Sequence, residues 1–476
     1  MSDEYVYTQG DILTAPYKFQ KVTKLKIIRE LNEHAILYIS GIISDENLDK
    51  YVEETGINQD IKVAAKDYEG NISSLFEGIV TKVGIKAKND VRTLEIQALS
   101  ATFLMDISKV NGSYQDENLT YGGIFSQKNS LYGDVVMVDN ITNGTKIDKL
   151  LVQYKETNWE FLKRLASHFN VALVPECRLS GIKYSIGGAG EAVVYDIDEF
   201  DYSIEKGLQE YNLKASNEDY ELNDTNLISY EVSTGKVMNL YNQVSFKGRK
   251  LLVYRCETEL KGGIIINKYI LRDENGMKVS KTYNNRITGI SLKGRVLDVQ
   301  KDKVKISLEI DGSPTEREGA RWFDFATIFS SPYGTGWYCM PEIEDVIRLY
   351  FPDNEEKHSY VVSSSHYSYP DADQSKRSDP AVKSISTKYG KEIVMSPGSV
   401  EIIGNGNLLM RLTDDGGIEV NSDKSIVLDA GGDINISGGG KVTIKGDAGI
   451  NLTQAGANMT IQDDVTMSGG KVNIQS

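Results

Sequence analysis

Cysteine is nearly absent from this chain, which has three cysteines among 476 residues. Cys177, Cys256 and Cys339 are far apart and odd in number, and none belongs to a C-x-x-C motif. These features argue against a disulfide framework and a cysteine-ligated zinc site. We expect the three thiols to be small buried apolar side chains.

Histidine is almost as scarce, and no catalytic motif is present. None of the four histidines (His34, His168, His358 and His366) has a metal-ligand partner two to four residues further along the chain. The G-x-S-x-G, H-E-x-x-H and P-loop patterns do not occur. The sequence therefore predicts no catalytic residue, no metal and no cofactor, and we expect a protein that is not an enzyme.

Excess positive charge and long apolar runs are also lacking. The formal net charge is −15, and such a surface repels nucleic acid and anionic lipid. No apolar run approaches the ~20 residues that span a bilayer. The start, Met1-Ser2-Asp3-Glu4, has no basic or apolar signal region. We expect synthesis in the cytoplasm without a signal peptide, and no nucleic-acid partner.

Residues 1–285 have the pattern of a mainly β segment with minor helix. Several runs alternate apolar and polar residues, as strands with one buried face do; they are Lys24–Ile28, Ala35–Ile39, Ile61–Ala65 and Leu94–Ala98. A helix is predicted near 158–169, with Thr157 as N-cap and Glu160 completing a capping box. Its apolar stripe should face a sheet as core.

Residues 286–366 predict a small barrel. Five short strand-like runs separated by turn residues are typical of an OB-fold; they are Gly294–Gln300, Val304–Ile310, Trp322–Thr327, Asp345–Phe351 and Tyr360–Ser364. An oligonucleotide-binding barrel needs a basic groove with stacking aromatics. Aromatics such as Trp337 are present, but Glu342 and Glu344 lie close by, so we favour a structural collar.

Residues 367–384 are polar with two prolines and are predicted to be a linker. The segment 385–476 is a repeat in which apolar pairs at i and i+2 recur every eight residues. Five consecutive octads keep this register, and the pattern continues less regularly through Val472 and Ile474. The ten octad positions are Ile418, Val420, Ile426, Leu428, Ile434, Ile436, Val442, Ile444, Ile450 and Leu452.

The octads predict a β-helix whose core the ten positions line. Residues at i and i+2 face the same way on a strand, and the Gly-, Asp- and Asn-rich stretches between them suit tight corners. Burying ten such residues contributes roughly 15–30 kcal/mol, whereas ordering forty residues costs about 60 kcal/mol. Three intertwined chains, each supplying one face of a prism, would pair their strands with one another. A single-chain β-helix with about four coils is the competing geometry.

Two motifs and the repeat together resemble VgrG-type spike proteins and the hub-and-spike proteins of contractile phage tails and tail-like bacteriocins. The run 152–166 reads VQYKETNWEFLKRLA, very like the family's Q-Y-x-E-[ST]-[DN]-[WF]-x-F-L-x-R-L element. The barrel region contains Gly294-Arg295-Val296, Gly336-Trp337, Pro341 and Asp345-Val346, in the order of a second family pattern. The match covers essentially the whole chain.

The resemblance implies a homotrimer. Its N-terminal region would contain two tube-like β-barrel modules per chain, so that three chains match a hexameric tail tube or its initiator proteins. An OB-fold-like collar and an intertwined triple-stranded β-helix would follow. The implied partners are baseplate proteins, the tape measure, a separate spike-tip protein and the target-cell envelope. The implied location is the baseplate of a phage tail or tail-like particle, released or injected toward that envelope.

Two other functions stay open on the sequence alone. A receptor- or carbohydrate-binding tail fibre is also trimeric and repetitive, but such fibres usually end in an aromatic-rich head. A β-helix polysaccharide-degrading enzyme would need a groove of acids and aromatics, and the repeat 385–476 has Tyr389 as its only aromatic.

Overall fold

In the computed structural model the chain divides into two compact units, residues 1–367 and residues 368–476. The structure describes residues 6–44, 49–142, 144–188, 194–198, 200–218, 220–362, 379–461 and 471. Residues 367–378 of the predicted linker, His366 and the repeat positions Val472 and Ile474 lie outside these ranges. Within them, no helix has the length and apolar character that crossing a membrane requires.

The first unit is built mainly from strands. They are β1 (Ile12–Ala15), β2 (Lys21–Glu30), β3 (Ile36–Ile42), β4 (Asp60–Lys66), β5 (Ile72–Lys88), β6 (Val91–Leu99), β7 (Val110–Tyr114), β8 (Val135–Asp139), β9 (Leu151–Glu156), β10 (Leu173–Pro175), β11 (Ile182–Ile186), β12 (Val194–Ile197), β13 (Tyr202–Lys206), β14 (Ile228–Thr234), β15 (Gln243–Phe246), β16 (Arg249–Lys261), β17 (Ile264–Arg272), β18 (Ser291–Gln300), β19 (Lys303–Leu308), β20 (Trp322–Asp324), β21 (Val346–Tyr350) and β22 (Tyr360–Val362).

Helices are few and short. The α-helices are α1 (Lys50–Glu54), α2 (Tyr121–Asn129), α3 (Asn158–Ser167) and α4 (Leu208–Asn217). Short 3₁₀ helices lie at Gln9–Asp11, Ala101–Asp106, Asp224–Leu227, Asn275–Met277, Asn285–Ile287, Glu309–Asp311 and Glu356–His358. The chain is therefore mainly β, as predicted.

One twelve-stranded sheet runs through residues 1–285, which we call the hub. Its main path is β1-β4-β5-β6-β3-β2-β16-β17-β14-β13; β15 pairs with β16, and β12 pairs with β15. The two halves meet where β2 pairs antiparallel with β16. Each half covers its own hydrophobic core, and a third core lies around α2, α3, β8, β10 and β11. Alternation on β2 explains the orientation of its side chains, because Leu25 and Ile27 are buried whereas Lys24 is exposed.

The mainly β fold predicted for residues 1–285 is confirmed, and its two halves are joined into one sheet. The pairing of β2 with β16 joins the two halves into a single sheet, and among the described residues no continuous ladder of paired strands closes that sheet into a barrel. The start of the chain approaches β17, a strand of the other half. Thr8 forms an isolated bridge with Ile264 at the start of β17, and the amide of Gln9 donates to the carbonyl of Gly263.

The collar sheet has the strand order β20-β19-β18-β21-β22. All five predicted strand-like runs are confirmed as strands, with shifted ends. The outer strands meet at one parallel bridge, Phe325 to Val361, so the sheet curls without a continuous closing ladder and the OB-fold remains a prediction. The collar core includes Leu150 and Val152 from the hub. The hub and the collar therefore belong to one compact unit. The boundary between hub and collar at residue 285 stays a prediction.

The second unit contains seven strands among its described residues. They are β23 (Lys383–Ser386), β24 (Glu392–Ser396), β25 (Ser399–Ile403), β26 (Leu409–Thr413), β27 (Gly417–Asn421), β28 (Ile450–Gln454) and β29 (Ala457–Ile461). The first five form an antiparallel meander in chain order, and β28 pairs with β29 as a hairpin.

Candidate functional site: an uncovered apolar sheet face

The meander β23–β27 carries apolar side chains on one face in two continuous rows. Its antiparallel register places apolar residues directly opposite one another on successive strands. The first row consists of Ile385, Ile393, Ile402, Met410 and Val420, and the second of Met395, Val400, Leu412 and Ile418. We call these nine residues the apolar face.

The apolar face is open to solvent in the single chain. Ile402 is 50% exposed and Ile418 is 72% exposed, and the other seven residues are also exposed. Soluble monomers rarely show contiguous apolar patches of this kind unless something binds there. Among the described residues, no element of the second unit covers this face.

The opposite face of the same meander is polar at its centre and internally paired. Glu401, Arg411 and Glu419 lie opposite one another on β25, β26 and β27. The guanidinium of Arg411 lies 3.2 Å from a carboxylate oxygen of Glu401 and 3.2 Å from one of Glu419. The meander thus has one polar face and one apolar face, as expected of a sheet that packs on one side only.

The structure places the ten predicted core positions in different settings. Ile418 and Val420 lie on β27, and Ile450 and Leu452 lie on β28. The six positions between them are in a stretch without assigned strands; they are Ile426, Leu428, Ile434, Ile436, Val442 and Ile444. These six are all exposed, Ile434 by 51%. The single chain therefore does not gather the ten positions into a core, and their role in a trimer stays a prediction.

Sequence reasoning missed seven of the nine residues of the apolar face, from Ile385 to Leu412. A signal was available, because Ile393 and Met395, Val400 and Ile402, and Met410 and Leu412 are all i, i+2 pairs. Met410 and Leu412 lie eight residues before Ile418 and Val420 and so extend the octads by one pair, whereas the two earlier pairs are out of the eight-residue spacing. The apolar face therefore begins before the octads and includes their first pair.

The family-like run 152–166 is a buried structural element. The predicted capping box is confirmed, since the Glu160 amide donates to Thr157 Oγ1 at 3.0 Å and the Thr157 amide donates to a Glu160 carboxylate oxygen at 2.9 Å. Gln153 donates to the carbonyls of Glu156 and Thr157 and to the side chain of Asn158. Trp159 is buried as part of the predicted apolar stripe. The run therefore forms a strand, a turn and a capped helix.

Arg164 at the end of this run links the hub to the collar. Its guanidinium lies 2.8 Å from Glu156 and 2.8 Å from Glu356 of the collar, and all three side chains are buried. Burial alone would lower the pKa of Arg164, but Glu356 and Glu156 outweigh it and raise the pKa above its usual value. The group is therefore a permanent cation between two carboxylates, which suits a fixed joint and not proton transfer.

Three further polar contacts cross the same junction. Asp311 accepts hydrogen bonds from the Ser113 amide at 2.5 Å and from the Ser113 hydroxyl at 2.7 Å. Arg321 donates to the carbonyl of Ile147 at 2.7 Å. Burial raises the pKa of Asp311. The hub–collar junction therefore combines these polar contacts with a shared apolar core, and Arg321 Nε is left buried without a hydrogen-bond partner.

No catalytic constellation is found in the part of the chain that the structure describes. There, no cluster of three His, Cys, Asp or Glu side chains could hold a metal. His168 is buried beside Tyr121, and burial lowers its pKa to about 3. His34 lies 3.2 Å from Asp106 and 2.8 Å from the hydroxyl of Thr102, but Thr102 is fully buried, so this hydroxyl is not accessible to a substrate. His358 lies 2.7 Å from Asp353 at the surface. The apolar face is the candidate site that remains.

Comparisons with known sequences give one partial match. A family model described as the Alg8 N-terminal domain matches residues 5–189, which is less than half of the chain. A search of curated proteins finds no match.

Solved structures share the fold at low sequence identity. The Escherichia coli c3393 protein, described as a component of the type VI secretion system similar to T4 tail proteins gp27 and gp5, superposes with a TM-score of 0.53. It is 11% identical, and the match covers 75% of this chain and 99% of that one. A lidless PdpA–VgrG complex gives a TM-score of 0.56 at 10% identity, covering 84% of this chain and 93% of that one. The half-lidded Francisella PdpA–VgrG complex gives 0.53 at 10% identity, with 87% and 88% covered. The chain has the fold of these VgrG- and gp27/gp5-related proteins.

Proposed function

We propose that this chain is the hub-and-spike protein of a contractile injection system, working as a homotrimer that joins a hexameric tube to a membrane-piercing needle. Its fold is that of a protein described as a type VI secretion component and of VgrG in complex with PdpA. At 10–11% identity the likeness gives the fold and not the function. The functional argument therefore rests on the apolar face.

The uncovered apolar face is the single observation that carries the proposal. Fully burying a residue of this type stabilises by about 1.5–3 kcal/mol, and the nine are roughly half exposed already. Covering them would contribute about 10 kcal/mol per chain. This is comparable with the ~4–15 kcal/mol that association costs in lost motion. Burial of the face is thus large enough to drive assembly.

The shape of the meander suits three copies around one axis. Five strands at ~4.8 Å spacing make a sheet ~24 Å high, and strands of five residues are ~17 Å long. Three such sheets with their apolar faces turned inward enclose a triangular prism. The polar faces with the Glu401–Arg411–Glu419 ladder would then point to solvent.

The exposed octads extend the same arrangement along the needle. Residues 422–449 carry apolar pairs yet have no assigned strands in the single chain. Strands without neighbours in their own chain can form when neighbouring chains supply the hydrogen bonds. We infer that this stretch becomes regular β-structure only in the trimer.

The hub–collar junction suits a part that transmits force. The buried Glu156–Arg164–Glu356 contact and the shared core around Val152 fix the collar to the hub. The proposed action is mechanical, with no catalysis, and the proposed partners are the tail tube or its initiator, baseplate proteins, the tape measure, a spike-tip protein and the target envelope. The proposed location is the baseplate of a phage tail or tail-like particle.

Native mass tests the proposal. The full chain of 52.9 kDa is compared by light scattering with a shortened chain ending at Ser384. A mass near three times 52.9 kDa that falls on truncation is the expected result. A monomeric full chain whose apolar face nevertheless resists proteolysis would contradict the trimer, because the face would then be covered from within.

A further inference from the structure

Arg29 is a buried cation that lacks a carboxylate partner among the residues that the structure describes. It is 5% exposed on β2. Its guanidinium donates to the Asn239 side chain at 3.2 Å, to the Met238 carbonyl at 3.1 Å and to the Cys256 sulfur at 2.9 Å. Three of its five N–H donors are thereby used, and Nε is buried without a hydrogen-bond partner.

The missing counter-charge at Arg29 is a physical anomaly. An arginine side chain keeps its charge in proteins, and a buried charge without a partner is strongly unfavourable. A carbonyl, an amide oxygen and a thiol sulfur supply dipoles but no negative charge. We therefore expect a negative charge from outside the chain to neutralise the Arg29 guanidinium, and the cavity that Arg29 lines is the place where it could bind.

Arg29 borders a cavity of about 300 Å³ in the hub. Its charged lining residues are Arg29, Lys183 and Glu176, which leaves one net positive charge. Lys183 forms an ion pair with Asp134, and Glu176 forms one with Arg178. Among the charged residues that line the cavity, Arg29 is therefore the one whose charge is not balanced by a carboxylate. The apolar lining consists of Val136, Val138, Val174, Pro175, Leu179 and Leu240.

We propose that this cavity binds a small carboxylate with a short apolar body, held by the field of Arg29. The carboxylate would face Arg29 and the amide side chain of Asn239, and the apolar body would contact the valine and leucine side chains. Such a mixture of one charge and apolar walls is typical of small-ligand sites. The same chemistry is offered by a free branched carboxylic acid or by the C-terminal carboxylate of a peptide ending in an apolar residue. The site does not depend on the trimer or on the apolar face.

Thermal unfolding of the full chain tests the site. The probes are isovalerate, its neutral amide isovaleramide, and an N-acetylated dipeptide ending in valine with either a free or an amidated C-terminus, all at equal ionic strength. We expect saturating carboxylate probes to raise Tm by about 2 °C and the amides to leave it unchanged. An effect of isovalerate indicates a free acid, and an effect of the dipeptide acid alone indicates a chain end.

An internal carboxylate provides the decisive variant. Asn239→Asp places a negative charge at the atom that accepts from Arg29, so it should abolish the response to carboxylates and raise Tm without them. Asn89→Asp adds the same charge at an exposed turn and should keep the wild-type response. Equal responses to acid and amide in the wild type, or an undiminished response in Asn239→Asp, would overturn the proposal.

Discussion

Ile402→Asp is the substitution that separates an exposed surface residue from a trimer core residue. In the single chain Ile402 is 50% exposed and lies between Ile393 and Met410 in the first row of the apolar face. On a free surface an aspartate there should cost no more than the ~1 kcal/mol of lower strand propensity. In a prism, three carboxylates would meet at the same level.

The magnitude follows from burial and protonation. Each chain loses about 1 kcal/mol of further apolar burial on assembly. Each carboxylate must also be desolvated or protonated, and protonating an aspartate of pKa ~3.9 at pH 7 costs at most about 4 kcal/mol. The loss is therefore up to about 5 kcal/mol per chain and ~15 kcal/mol per trimer, or several orders of magnitude in the assembly constant.

Sedimentation velocity at micromolar concentration measures the outcome, with Ser396→Asp as the matched control. Ser396 is on the polar face of β24, so the same charge there should leave assembly intact. Burial raises the pKa of the introduced carboxyl in the trimer above its value in the free chain. Stability of the mutant trimer should therefore rise as pH falls through that raised pKa, and assembly should partly return near pH 4.5. Unchanged trimers of Ile402→Asp at pH 7 would refute the reasoning.

Three further predictions concern other parts of the chain. Ile434→Asp should abolish needle assembly and the protease resistance of residues 385–476 while the hub still folds, and a protected needle would contradict the octad core. Glu356→Gln removes one carboxylate from the buried Arg164 contact and should lower the unfolding free energy of the hub–collar unit by about 3–5 kcal/mol in denaturant titration. Glu355→Gln, at a half-buried carboxylate paired with Lys357, should cost under 1 kcal/mol. Burial lowers the pKa of Lys128 to about 8, so at lower pH the charged lysine is more stable in the unfolded chain and destabilises the fold. Lys128→Met should therefore raise the unfolding free energy by about 1 kcal/mol at pH 7, after allowing for screening. The gain should vanish above pH 10.5, and a gain that persists there would indicate a packing effect instead.

Local features of the fold were predictable because their causes are local. The helix predicted near 158–169 is Asn158–Ser167, since Thr157 and Glu160 satisfy its first amides within one turn. The strand pattern at 94–98 lies within Val91–Leu99, since alternation reports a half-buried strand without reference to its neighbours.

Features that join distant residues were not predictable. Nothing in the pattern of β2 indicates that it pairs with β16, and this pairing is what joins the two halves into one sheet. Glu356 gives no sign in the sequence that it meets Arg164. Six of the ten octad positions lie outside any strand in the single chain, since a pattern of side chains does not specify the strand that would pair with them.

The pairing of β2 with β16 has a consequence for how the chain is made. The partner of Lys26 on β16 is Glu259. Glu259 is synthesised about 230 residues after Lys26, which is roughly 12–45 s later at ordinary rates of synthesis. During that time one edge of β2 is an unpaired template for other nascent chains. Lys24 and Lys26 stand on this strand, and charged side chains on a waiting edge discourage aggregation. The two lysines would thus protect the polypeptide before its sheet can be completed.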